Sequence, residues 1–391
     1  MSYRVNPALA EELAHFGGDT LTRCFNCGNC TAVCGLSKDQ TVFPRKIIRY
    51  MQLGLEDKLL ESPEPWLCYY CGTCSDTCPR EAQPGELMMA TRRWLTSRYD
   101  WTGLSKRLYL SEVWEVGLLS VTALLVLTAF IVPGIFGVPF GFYNLGEEAM
   151  AHVRLDLFAP TRVIHYADWA LAAFLLVVLG ANALRMIVAV RRGFNQSSVP
   201  LITWLRDAYQ PLLHLLTQKR WLECDNDTRM RWLQHFLLVT GYATMFLLVV
   251  GFLPYFQRED AEFHWTALLG YYATAVLLWV TVAAMRSRWR KTEQIHKFSQ
   301  ITDWMFLVLL FLTALSGILL HLARLLDWPL ATYVLYVVHL MIAVSMLVIE
   351  VPFGKWLHLV FRPVAKYMVA VREAAVARPV KASPHHALTH G

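Results

Sequence analysis

Long apolar runs with short polar breaks fill the chain from residue 111 onward, whereas the stretch before it alternates apolar and polar positions at helical spacing. A membrane-crossing helix needs about 20 apolar residues to traverse about 30 Å of hydrocarbon. Six runs meet that length, over residues 114–132, 163–183, 232–256, 264–285, 304–322 and 329–349. Ahead of them, Pro44 opens a stretch with Ile47, Ile48, Met51 and Leu55 on one face, and Pro84 opens another carrying Leu87, Met88, Trp94 and Leu95. Proline at a first turn followed by apolar residues three and four apart predicts amphipathic helices at both places. The expected fold is therefore all-α: a helical unit over residues 1–105, a six-span transmembrane helical bundle over 111–370, and a disordered tail over 371–391 rich in proline and small residues.

Composition agrees with a membrane protein, since 55% of the 391 residues are hydrophobic and only 17% are charged. The net charge of +6 does not point to nucleic acid, because the basic residues flank apolar runs and do not gather into one patch with interleaved aromatics. Eight Lys or Arg lie between Arg185 and Arg231 and five between Arg286 and Lys297. Basic loops stay on the cytoplasmic side, so both termini and the head are expected in the cytoplasm, with the spans in the inner membrane. Met1 to Gly18 carries no apolar leader run, in keeping with that orientation. Within the first basic loop, the stretch from Leu201 to Leu216 is amphipathic and is expected to lie along the lipid surface, within reach of the head.

Chemistry enters with the cysteines. Eight of nine fall into two copies of one frame, Cys24, Cys27, Cys30, Cys34 and Cys68, Cys71, Cys74, Cys78, with the second followed by Pro79. Three thiolates at CxxCxxC spacing wrap one face of an iron-sulfur cube, and the fourth, three residues on, reaches the other cluster in two-cluster ferredoxins. One [4Fe-4S] cluster is therefore assigned to Cys24, Cys27, Cys30 and Cys78, the other to Cys68, Cys71, Cys74 and Cys34. Clustered CxxC spacing in a reducing compartment favours metal over disulfides. Cys224 stands outside both frames and is read as a spare thiol. The methionines and tryptophans of the flanking helices are read as packing.

These two frames with long helical spacers resemble the ferredoxin-like C subunit of heterodisulfide reductase. That family's catalytic disulfide chemistry needs paired-cysteine motifs, and no two cysteines here are adjacent, so this chain is expected to relay electrons.

Histidines near the spans are His165, His235, His264, His321, His339 and His358. Ionisable residues are costly in hydrocarbon and tend to face cavities or cofactors. His264, His296 and His321, at span ends, are read as headgroup-level or backbone-bonded side chains. His339 and His358 lie nineteen residues apart around Pro352, roughly 28 Å along a straight helix, which implies two haem levels. This segment, and the run from Asp303 to Gly317, resemble the last helices of the nitrate reductase gamma subunit family, a dihaem cytochrome b. That resemblance implies that His235 and His358 hold an inner haem. At the family's second histidine position the sequence has Met245, so the partner of His339 is left open among Met245, His165 and no outer haem at all, with the polar run His165 to Asp168 favouring His165.

The fused arrangement is similar to the C subunit of quinone-interacting membrane-bound oxidoreductase complexes. What this resemblance implies is electron exchange between menaquinol and cytoplasmic heterodisulfide reductase A-like flavin and iron-sulfur subunits, with adenylylsulfate reductase further along, through one or two b haems and two clusters. Two other readings are kept: an anchor of a heterodisulfide reductase or sulfite-reduction complex, and a haem-free structural anchor.

Overall fold

The computed structural model describes residues 3–37, 42–194, 199–218, 228–257, 264–292 and 294–376. The described residues form helices and turns, with no strand among them. Cys224 and the prolines and histidines of the C-terminal tail lie outside the described residues.

Among the described residues six helices are long and apolar enough to cross a membrane: Glu112–Ile135, Thr161–Arg192, Arg229–Tyr255, Thr266–Trp289, Ile301–Leu325 and Pro329–Phe353. Each coincides with one expected run to within a few residues, except that the second continues nine residues beyond its expected end at 183. The third to sixth pack as successive neighbours, the first lies against the sixth and the second against the third. Large apolar side chains such as Leu125, Leu176 and Leu247 point outward and are exposed, the outside-apolar pattern of a bundle whose solvent is lipid. Phe130, Phe158, Tyr333 and Tyr336 are buried together at one end of the bundle.

The cysteine-rich head closes the other end. Its helix Arg45–Gln52 begins after Pro44 and buries Ile47, Ile48 and Met51, with Leu55 half-buried beyond it. The helix Pro84–Tyr99 starts on its proline and is buried around nearly its whole circumference, because the head covers one side and span ends cover the other. Met88 and Trp94 are fully buried packing residues.

One membrane helix and the separate closing helix tie the head to the bundle. The second span has 32 residues, about 48 Å at 1.5 Å per residue, well beyond the hydrocarbon thickness. Its last turns put Met186 and Val190 into one apolar core with Leu87, Met88 and Trp94 of the head, and Arg185 Nε–H donates to Tyr99 O (2.8 Å). The closing helix His358–Val376 adds Phe361, Ala365 and Met368 to that core. The Phe361 ring packs 4.7 Å from Trp66 and 5.5 Å from Tyr99. The amphipathic loop helices Leu201–Asp207 and Tyr209–Thr217 rest on the closing helix, where Tyr367 Oη–H donates to Trp204 O (2.7 Å).

One expectation is corrected. The chain from His339 to His358 is not one straight helix: it passes through a widened turn over Met346–Glu350 and breaks at Gly354, whose backbone is extended. A side chain at 354 would sit 2.3 Å from Glu350 Oε2 and 2.8 Å from Glu350 O, so the break depends on glycine's lack of one. His358 thus starts a separate helix, and the straight-helix span of 28 Å does not apply.

Glu86, buried in the head, has its carboxyl pushed up to about 8, by burial first and against the pull of Arg93. A raised carboxylate pKa contributes stability below the unfolded value, near 4.5, and that contribution is lost as pH climbs to about 8. Replacing Glu86 with Gln is expected to flatten the fall in thermal stability over that window in detergent. An unchanged slope would show that Glu86 is ionised in the folded chain.

Candidate functional site

Each cysteine frame folds the same way. The third residue of each run, Asn26 or Tyr70, takes a positive φ of 59° or 58°. Its backbone N–H donates to the sulfur of the first cysteine, Asn26 N to Cys24 Sγ and Tyr70 N to Cys68 Sγ, both at 3.4 Å. A glycine with φ of 95° or 88°, Gly28 or Gly72, then leads into a single helical turn, Asn29–Ala32 or Thr73–Asp76. Positive φ is cheapest for glycine, which is why a glycine after the second cysteine of each run lets the chain turn back on itself there.

The two turns pack against each other, and Asn29 Nδ2–H donates to Thr77 O (2.5 Å). This contact carries each fourth cysteine across. Cys24, Cys27, Cys30 and Cys78 line one open pocket, together with Phe25, Arg45 and Pro84. Cys34 sits with the other set, where Cys68 and Cys71 act on its thiol through space, as they do on Cys74. Burial first, with Cys68 and Cys71 adding to it, pushes the Cys34 thiol up to about 11. Burial likewise raises Cys74 and Cys30. Half-buried thiols gathered this way are poor thiolates alone, and iron supplies the positive charge that makes them ligands. The donor chemistry fits two clusters, with all eight cysteines reduced and none in a disulfide.

The carbonyls of the first cysteines are held differently. Gln52 Nε2–H donates to Cys24 O (2.7 Å). At Cys68 O the donors are two guanidiniums, Arg362 Nη2 at 2.9 Å and Arg92 Nη2 in a shorter contact. Arg92 is fixed by Nε–H to Pro65 O (2.7 Å). Burial, then Arg362, lower Arg92 to about 9, which leaves it cationic at neutral pH.

Arg362 lies one helical turn after His358. His358 Nδ1–H donates to Lys355 O (2.6 Å), so Nε2 keeps its lone pair. Burial and then Arg362 hold His358 far below the histidine range, at about 3, and the imidazole is neutral. His235 is near enough to act on it electrostatically. A neutral ring whose Nδ1–H is fixed by a carbonyl is the form that can ligate a metal through Nε2, and His358 has that form. His339 shows the same arrangement: Ser316 Oγ–H donates to Thr313 O (3.2 Å) and so accepts from His339 Nδ1–H (2.9 Å). Gly317 lies beside that ring. His165 is engaged elsewhere, its Nε2 accepting from Trp169 Nε1–H (2.9 Å) and lying 3.2 Å from Val250 O. Met245 packs near Trp356, Leu310 and Ala314. His264 and His321 make local contacts, with Thr266 Oγ1 (2.9 Å) and Tyr271 Oη (2.7 Å).

Sequence reasoning passed over one group. Asp303 caps the fifth span, accepting from Gln300 N–H (3.1 Å), and pairs with Lys355 and with Arg93 (3.6 Å) of the head. Arg93 also donates to Phe16 O (2.9 Å). Three ionic groups at 93, 303 and 355 have no spacing relation that a linear reading detects. The early sign for two of them is that Asp303 and Lys355 stand at the ends of apolar runs, whereas Arg93 lies inside the helix Pro84–Tyr99.

Comparison with known proteins agrees with the cysteine geometry. Residues 20–82 match the 4Fe-4S dicluster domain family. The chain is 37% identical over 92 residues to a protein of Archaeoglobus profundus described as like the heterodisulfide reductase C subunit, covering 23% of this chain and 49% of the relative. It is 32% identical over 88 residues to the C subunit of the H(2):CoB-CoM heterodisulfide,ferredoxin reductase of Methanothermobacter thermautotrophicus, covering 22% and 48%. It is 34% identical over 92 residues to the iron-sulfur C subunit of the CoB--CoM heterodisulfide reductase of Methanopyrus kandleri, covering 24% and 46%. The chain thus spans about half the length of these curated relatives, all within its head. No solved structure matches it at a significant level.

Proposed function

We propose that this chain passes electrons between a membrane quinone, menaquinone in the reading implied by sequence, and soluble flavin and iron-sulfur partners. The route runs through b haem held by His235 and His358 and then through two [4Fe-4S] clusters held by the crossed cysteine sets. The observation that carries this reading is the closing helix. It bears His358 at its first turn and Arg362 at its second, and Arg362 bonds the carbonyl of Cys68. A candidate haem ligand therefore sits on the same helix, four residues from an arginine that is hydrogen-bonded to the backbone of a candidate cluster ligand. The cofactors supply the redox chemistry, and the protein supplies ligands, spacing and a low-dielectric path. The partner of His339 is left open among His165, whose Nε2 would have to leave Trp169, Met245, and no outer haem; an outer haem would extend the route across the membrane. The basic loops favour a cytoplasmic head. On that side it would meet its partners, which the sequence reading takes as heterodisulfide reductase A-like subunits.

Replacing His358 with Ala is expected to remove the reduced-minus-oxidised b-haem band assigned to the inner site and leave the iron-sulfur signals intact. A purified wild-type chain with no b-haem band would sink the cytochrome reading. It would favour the second one, an anchor whose clusters serve a heterodisulfide reductase-type assembly, which is supported by the names of the relatives that match the head.

A further inference from the structure

The two frames are repeats in backbone geometry and in their N–H···S bonds, yet equivalent carbonyls have unlike partners. Cys24 O accepts from the neutral amide of Gln52, whereas Cys68 O accepts from the guanidiniums of Arg92 and Arg362. Arg92 is 6% exposed, and Arg362 is half-buried over the Tyr69 ring, 5.3 Å from its centroid. The cations near the other pocket, Arg45 and Arg80, are exposed, where water and salt screen them. Charge and hydrogen bonds around the sulfurs set a cluster's reduction potential, and a cation in a low-dielectric surrounding stabilises the added electron most.

We propose that Arg362, with Arg92, is a positioning and tuning residue that raises the potential of the Cys68, Cys71, Cys74 cluster above that of the Cys24, Cys27, Cys30 cluster. The two repeats are thereby made unequal, and the higher-potential cluster is the one bonded to the membrane domain's closing helix. Since Arg362 comes from that helix, docking of the head and tuning of the cluster are one event. This inference rests on the two-cluster reading but does not depend on haem or on which fourth cysteine serves which cluster.

The test is a redox titration of the full chain in detergent, followed by low-temperature EPR, with Cys71→Ser used to assign the affected signal. Arg362→Gln is expected to change the reduced-to-oxidised ratio of the Cys68-set cluster about tenfold toward oxidised at fixed ambient potential, about 59 mV for one electron. The Cys24-set cluster should stay unmoved. Arg362→Lys, which keeps the charge, should restore most of the shift. Equal shifts in both clusters, no shift, or a Lys variant behaving like Gln would overturn the proposal. If Arg362→Gln does not assemble iron, Gln52→Lys takes its place. It adds a cation at the equivalent carbonyl and should raise the Cys24-set cluster, and failure to do so counts against tuning. About eight irons per chain without a selective shift removes this inference alone, whereas about four or none removes the two-cluster reading beneath it.

Discussion

Cys78→Ser is expected to abolish the cluster that gathers Cys24, Cys27 and Cys30, although residue 78 lies far from them in sequence and beside Cys74. The pocket lined by Cys24, Cys27 and Cys30 takes its fourth cysteine from 78, and Cys78 is among the groups acting on the Cys30 thiol. A serine oxygen is a poorer iron ligand than a thiolate, so iron content should fall from about eight to about four per chain. The surviving EPR signal should be the one that Cys71→Ser removes. Loss of the Cys71-dependent signal, with the other kept, would show that each run ligates its own cube.

The second large effect falls on stability. Asp303→Ala removes the carboxylate that is ion-paired with both Arg93 and Lys355, with the Arg93 and Asp303 side chains only 5% and 7% exposed. Deleting one partner of a buried ion pair leaves uncompensated charge and costs about 3–5 kcal/mol, with about 1 kcal/mol more from the lost helix cap. Arg93 belongs to the head and Asp303 and Lys355 to the membrane domain, so the damage should concentrate at their junction. Unfolding in detergent should show the head separating from the bundle at lower temperature or denaturant, with its backbone more open to protease near Tyr99. A loss under about 1 kcal/mol, the value of an exposed pair, would mean that water reaches the triad. Asp303→Asn retains the capping oxygen and should recover only that smaller part.

Much of this was legible in the chain. The six spans follow from apolar length alone, because lipid permits only helices that satisfy their own backbone groups. The cysteine frames follow from spacing, and glycine after the second cysteine of each run forecasts the reversal that the positive φ of Gly28 and Gly72 delivers. Histidines were harder: His235, His339 and His358 look alike in sequence, and the hydrogen bonds at Nδ1 of His339 and His358 come only from the tertiary structure.

What the sequence determined by itself is local and periodic: helix type, span number, and two cluster frames whose fourth cysteine leaves the turn. Each of these depends on residues within a few turns of one another. The tertiary structure alone decided the break at Gly354, where a carboxylate fills the space of a side chain. It also decided the overlong second span as a strut into the head, the Arg93–Asp303–Lys355 triad, and the meeting of Arg92 and Arg362 on Cys68 O. Those pairings join residues as many as 294 positions apart, and no periodicity encodes them. They arise from packing a head onto one helix that continues out of the bundle and onto the separate closing helix, which brings fixed charges to one carbonyl of an otherwise repeated site.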